Sequence, residues 1–171
     1  MPIIPIRTLG DPALRERGRD VERFDDALAR LADDMFETMY DAPGVGLASQ
    51  QVGISSRFFV YDDGEGHRGF VANPVLSDLE GEETRDEGCL SIPGPFHPTT
   101  RALTVRLRGQ GLDGSPVDIA AEGLLARIFQ HETDHTTGML YIDRLDDQGR
   151  RDVMRQLREH EARRAQSGVD A

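Results

Sequence analysis

The stretch His131-Glu132-Thr133-Asp134-His135 limits what this chain can fold into more than any other. Leu124 and Ile128 precede it at helical spacing and Gly138 follows as a stop, so the pattern predicts a helix over 121–137. Residues four apart on a helix lie one turn above each other on one face. Both imidazoles therefore share a face with Leu124 and Ile128, and a polar pair on a buried face needs a partner. A metal ion suits this spacing, with Glu132 projecting beside the pair to take a proton from a water that the ion acidifies.

Two histidines do not complete a catalytic site, which normally takes three protein ligands. Tyr141 stands where a third histidine would follow in the pattern His-Glu-x-x-His-x-x-Gly-x-x-His. Glu159 and Glu161 lie downstream on a charged segment with no supporting motif. Upstream is Cys89, in Glu87-Gly88-Cys89-Leu90-Ser91, the single cysteine of the chain, so no internal disulfide forms. An isolated thiol is more often a small inert hydrophobe than a ligand. Beside a metal-ready helix with no better third ligand, the balance shifts to Cys89, because a thiolate with two imidazoles suits borderline divalent metals.

A third segment is Gly44-Val45-Gly46-Leu47-Ala48-Ser49-Gln50-Gln51-Val52-Gly53. It lacks the lysine of a phosphate loop and the third glycine of a dinucleotide fingerprint. It reads either as the turn after the first helix or as a loop whose glycines let a substrate backbone approach. In the second case an amide side chain is at hand to polarise a carbonyl.

Elsewhere the pattern predicts a first helix over 24–39, stopped near Asp41-Ala42-Pro43-Gly44. Strands are expected at 57–62, 69–74 and 103–108. A charged, thinly apolar helix is expected over 147–166, able to hold one side loosely but not to bury a core helix. His97, within Pro93–Pro98, is expected as an exposed loop histidine. Strands and helices cluster rather than alternate. The fold class is therefore α+β, with antiparallel sheets packed around the central helix that carries the two histidines. At 171 residues the chain fits one catalytic domain over 1–171 with a helical tail at 147–166.

No apolar stretch approaches the ~18 residues of a membrane span. The start, MPIIPIRTLGDP, lacks the unbroken apolar run of a signal peptide, so a cytoplasmic location is expected. Net charge is −11, with all 20 basic residues arginine, which argues against general nucleic-acid binding.

Together the three segments resemble the three motifs of the peptide deformylase family. Gly-x-Gly-Leu-Ala-x-x-Gln occurs at Gly44 to Gln51, Glu-Gly-Cys-Leu-Ser at Glu87 to Ser91, and His-Glu-x-Asp-His at His131 to His135. Gly10-Asp11-Pro12-Ala13-Leu14-Arg15 and Tyr141-Ile142-Asp143-Arg144 also fit, so the resemblance covers roughly 3–145. Ser49 stands where the family often has alanine, and Pro93–Pro98 varies within the family, so contacts there do not carry over.

The resemblance implies a hydrolase that removes the formyl group from the N-terminal formylmethionine of new polypeptides, releasing formate. It implies that Cys89, His131 and His135 hold one divalent metal, Fe(II) in cells, with nickel, cobalt or zinc also accepted. Glu132 would take the water proton and pass it to the leaving amine. The Gln51 amide and the Leu90 backbone N–H would stabilise charge on the formyl oxygen. Backbone groups of Gly44, Val45 and Gly46 would pair with the peptide as an added strand. Val45, Leu124, Ile128 and the stem of Arg127 are expected to line the methionine pocket. Glu87, Arg101 and Asp134 are expected to form an ion-pair network locking the cysteine loop to the helix.

The tail carries six arginines over 149–165 against three acids, a basic arm that would direct the chain to the ribosome. Two rival classes stay open. One is a cytosolic zincin-type metallopeptidase with a carboxylate third ligand, which would tolerate loss of Cys89. The other is a non-catalytic metal-binding relative, which would have no use for Glu132 and Gln51.

Overall fold

The computed structural model describes residues 2–168; Met1 and residues 169–171 of the expected domain lie outside them. In chain order the main elements are α1 (Asp26–Asp41), β1 (Gly46–Ala48), β2 (Phe58–Asp62), β3 (Arg68–Glu80), β4 (Glu83–Cys89), β5 (Ile92–Arg101), β6 (Thr104–Gln110), β7 (Pro116–Glu122), α2 (Gly123–Thr136) and α3 (Asp147–Gln166). Five strands form an antiparallel sheet in the order β1-β2-β3-β6-β7, and β4 pairs with β5 in a separate hairpin. The class is α+β, as the sequence implied.

Alternation along β2 explains how the sheet holds a helix on each side. Phe58 and Val60 pack with Ala32, Met35, Phe36 and Met39 of α1. Phe59 and Tyr61 point the other way, onto Ala126, Ile128 and Phe129 of α2. Tyr61 and Phe129 meet edge to face with ring centroids 4.9 Å apart, a favoured aromatic geometry. The helix bearing the two histidines is thereby fixed against the sheet along its apolar face.

Helix α1 begins two residues later than expected because Asp25 caps it, its side chain accepting the Leu28 N–H. The strand expected at 69–74 runs on to Glu80, with irregular register between Ala72 and Val75 and between Ser77 and Glu80.

The tail departs from its expectation. Val153 is 0% exposed and Leu157 7%, packed with Leu14, Ile92, Leu140, Tyr141 and Leu145. Few apolar residues suffice because both fall on one side of α3, where β5 and the Tyr141–Arg144 turn supply the rest of the cluster. His97 lies on strand β5 rather than in a loop, with Nε2 3.8 Å from Asp152 Oδ2 of α3. Among the described residues no helix is long and apolar enough to cross a membrane.

Candidate metal centre

Helix α2 carries His131 and His135 one turn apart, and their Nε2 atoms lie 3.2 Å from each other. Cys89 ends β4, and its Sγ lies 3.4 Å from His135 Nε2. Ligand atoms of Cys89, His131 and His135 all fall within 4.8 Å of one another, and no other group of three or more such side chains converges so among the described residues. An ion with bonds of about 2.0–2.3 Å to nitrogen and sulfur sets tetrahedral neighbours roughly 3.3–3.6 Å apart. The observed spacings of 3.2 and 3.4 Å fit that, and thiolate with two imidazoles is a donor set for a borderline divalent metal. Glu159 and Glu161 are exposed on α3, away from this group.

The imidazole orientation is set from behind. His131 Nδ1 lies 2.5 Å from Glu87 Oε1, so the ring donates to the carboxylate and leaves Nε2 free as a ligand. Arg101 is buried between two acids, with Nη2 2.5 Å from Glu87 Oε1 and Nη1 2.7 Å from Asp134 Oδ2. Glu87 thus joins β4 to β5 through Arg101, and Arg101 in turn joins both to α2 through Asp134.

Two further arginines, Arg127 and Arg144, belong to this network, beyond the three residues the sequence pointed to. Arg127 donates to Glu87 Oε2 at 2.7 Å and to the carbonyls of Thr99 and Glu83, each at 2.8 Å. Arg144 grips Asp134 with two bonds of 2.7 Å. The buried i−4 position of Arg127 relative to His131 was the signal, since a cation on that face requires an acid.

Electrostatics follow from this packing. Burial pushes the Glu87 carboxyl upward, but hydrogen bonds from His131 and Arg101 overcome it and hold the group well below the usual carboxylate range. Burial also opposes protonation of His131, while Cys89 and Glu87 beside it favour the proton and prevail. His135 is driven well below its ordinary value, by burial first and by the neighbouring His131 second. Burial pushes the Glu132 carboxyl up to about 7 against the pull of His131. Glu132 Oε2 is buried without a hydrogen-bond partner.

Around the group lies a cavity of about 560 Å³ lined by Gly44, Val45, Gly46, Gln51, Glu87, Cys89, Leu90, Leu124, Arg127, Ile128, His131 and Glu132, among others. Gln51 sits in a buried 3-10 turn after β1. Its Oε1 accepts the Ala48 N–H at 2.9 Å, and its Nε2 lies 3.6 Å from Cys89 Sγ and 3.1 Å from Ser91 Oγ. Leu90 stands in the tight turn between β4 and β5. Strand β1 is the sheet edge, and the Asp62 N–H donates to Val45 O at 3.0 Å. In an antiparallel ladder bonded and non-bonded pairs alternate, so Gly46, opposite Tyr61, turns its N–H and C=O away from β2.

Comparison with known proteins settles the family. The polypeptide deformylase profile matches residues 3–151. The chain belongs to the polypeptide deformylase family. It is 51% identical to peptide deformylase 1 of Corynebacterium efficiens, over 92% of this chain and 96% of the relative. The crystal structure of a peptide deformylase from Legionella pneumophila superposes with a TM-score of 0.91 at 39% identity, covering 99% of this chain and 100% of that one. That of peptide deformylase from Thermus thermophilus gives 0.87 at 42% identity, with 94% and 96% covered. As a deformylase, the chain is a metalloenzyme that removes the N-formyl group from N-terminal formylmethionine. The metallopeptidase and non-catalytic alternatives find no support in these relatives.

Proposed function

We propose that Cys89, His131 and His135 hold one divalent ion, Fe(II) in cells with nickel, cobalt or zinc as substitutes, and that formylmethionyl peptides are hydrolysed in the cavity beside them. The supporting observation is that the ligand atoms of these three residues lie within 4.8 Å of one another, beside a cavity that Cys89, His131, Glu132 and Gln51 line. When bound, such an ion supplies a Lewis acid that brings the pKa of a water to about 7.

Glu132 accepts the proton of the attacking water at its unpartnered Oε2 and returns it to the leaving amine, giving formate and a free N-terminus. A carboxyl poised near neutrality serves both directions of transfer. Gln51 turns an Nε2–H from Ser91 towards the formyl oxygen, and the Leu90 backbone N–H is the second donor. Loss of one such donor costs roughly 10²–10³ in kcat. The peptide lies along the β1 edge as an added strand, against Gly44, Val45 and Gly46, and the methionine side chain enters the apolar part of the cavity at Val45, Leu124, Ile128 and the stem of Arg127. Glu87, held by Arg101 with Asp134 behind it, keeps His131 aimed.

Formate release from formyl-Met-Ala-Ser by nickel-loaded protein tests this reading. Stoichiometric formate and free Met-Ala-Ser are expected, and a metal-loaded protein that releases neither contradicts it.

The substrate is the nascent chain, so the enzyme works in the cytoplasm at the ribosome, with α3 as the electrostatic contact. Arg151, Arg155, Arg158 and Arg163 are exposed on it. Replacing these four with Gln is expected to reduce co-sedimentation with ribosomes at low salt, as a phosphate-contacting surface requires. Undiminished co-sedimentation removes α3 from that role.

A further inference from the structure

The Gln51 amide is held at both ends by partners buried as deeply as itself. Gln51 is 1% exposed, and Ala48 and Ser91 are both 0%. Oε1 accepts the Ala48 N–H, which fixes the sense of the amide plane and puts both Nε2 hydrogens at the other end. There Nε2 reaches Ser91 Oγ at 3.1 Å and lies 3.6 Å from Cys89 Sγ. An amide nitrogen only donates, so the Ser91 oxygen is the acceptor and its hydroxyl hydrogen turns to suit.

The backbone sets the distance between the two side chains. The Arg7 N–H donates to Gln51 O at 2.7 Å, and the Leu9 N–H donates to Ser91 O at 2.9 Å. One short N-terminal segment therefore straps the 3-10 turn after β1 to the turn between β4 and β5. Within that strap the amide has two acceptors, a hydroxyl and a sulfur. Without the hydroxyl a buried N–H loses its partner, which costs more than such a bond contributes when made. The Cys89 sulfur is then the acceptor left to it.

We propose that Ser91 is a positioning residue for the hydrolysis. Its hydroxyl keeps the Gln51 amide aimed so that one Nε2–H exchanges Ser91 Oγ for the formyl oxygen, instead of closing onto Cys89 Sγ. The proposal rests on the reading above that Gln51 donates to the formyl oxygen. Ser91 does not line the cavity, so it acts through Gln51 alone.

The test is a double-mutant cycle of nickel-loaded wild type, Ser91→Ala, Gln51→Ala and the double variant, with kcat and KM measured on formyl-Met-Ala-Ser. Ser91→Ala is expected to lower kcat about tenfold with KM unchanged, a part of the roughly 10²–10³ that loss of a whole donor costs. In the Gln51→Ala background the same substitution should cost nothing further, because residues that act through one another are not additive. In 15N-labelled, zinc-loaded protein, one Gln51 side-chain N–H resonance should move upfield in Ser91→Ala as its acceptor is lost. An ordinary kcat in Ser91→Ala, an equal kcat loss in the Gln51→Ala background, or Gln51 amide resonances that stay in place overturn the proposal. A wild type that releases no formate, or a Gln51→Ala enzyme with ordinary kcat, overturns the donor role of Gln51 beneath it instead.

Discussion

Gly46 places its bare Cα against the carboxyl group of Glu132: a methyl group at position 46 would lie 2.7 Å from Glu132 Cδ and nearer still to Oε1. The strand edge proposed to receive the peptide and the carboxyl proposed to carry the proton are one packed unit. Any side chain at position 46 would displace one or the other.

Gly46→Ala is therefore expected to lower kcat by about tenfold or more, since a misplacement of order 1 Å can cost ~10²-fold. Glu132→Gln, which keeps the shape and removes the base, is expected to lose ~10²-fold or more. Metal content should be unchanged in both, because neither residue belongs to the proposed ligand set. Steady-state formate release with elemental analysis checks this. A Gly46→Ala enzyme with ordinary kcat would mean the contact carries no catalytic weight.

Arg101→Ala leaves the buried carboxylates of Glu87 and Asp134 without the cation between them. Breaking one side of such a buried pair costs about 3–5 kcal/mol, so thermal unfolding should move down by several degrees or more. A melting temperature within a degree or so of wild type would show that Arg127 and Arg144 satisfy the two acids alone.

Truncation after Leu145 removes Val153 and Leu157 from their cluster with Leu14, Ile92 and Tyr141. Two buried aliphatic side chains contribute about 3 kcal/mol or more, so the truncated chain is expected to melt well below the intact one. A plain solvated tail, as its sequence suggested, would leave the melt unchanged.

What the sequence disclosed followed from spacing. The histidine pair with its apolar helix face, the single cysteine and the glycine segment were legible because each pattern is local. The same holds for α3, whose span of 147–166 was expected and found. Its burial was not legible, since the surface it covers comes from Leu14, Ile92 and Tyr141, far away in the chain. Strand β5 was missed because Pro93, Pro95 and Pro98 read as loop. A two-stranded hairpin tolerates them, since each of its strands lacks a partner on one side. Strand β7 alternates at Val117, Ile119 and Ala121, but its end was absorbed into the expected helix. Arg127 looked like pocket lining because only the fold reveals that it meets Glu87.

The metal content of Cys89→Ala decides whether Cys89, His131 and His135 form the ligand set. Two imidazoles alone make a weak site, whereas thiolate and two imidazoles make a tight one. After exhaustive dialysis, wild-type protein should retain one metal ion per chain by elemental analysis and Cys89→Ala essentially none. A Cys89→Ala protein that keeps one ion per chain would remove Cys89 from the ligand set.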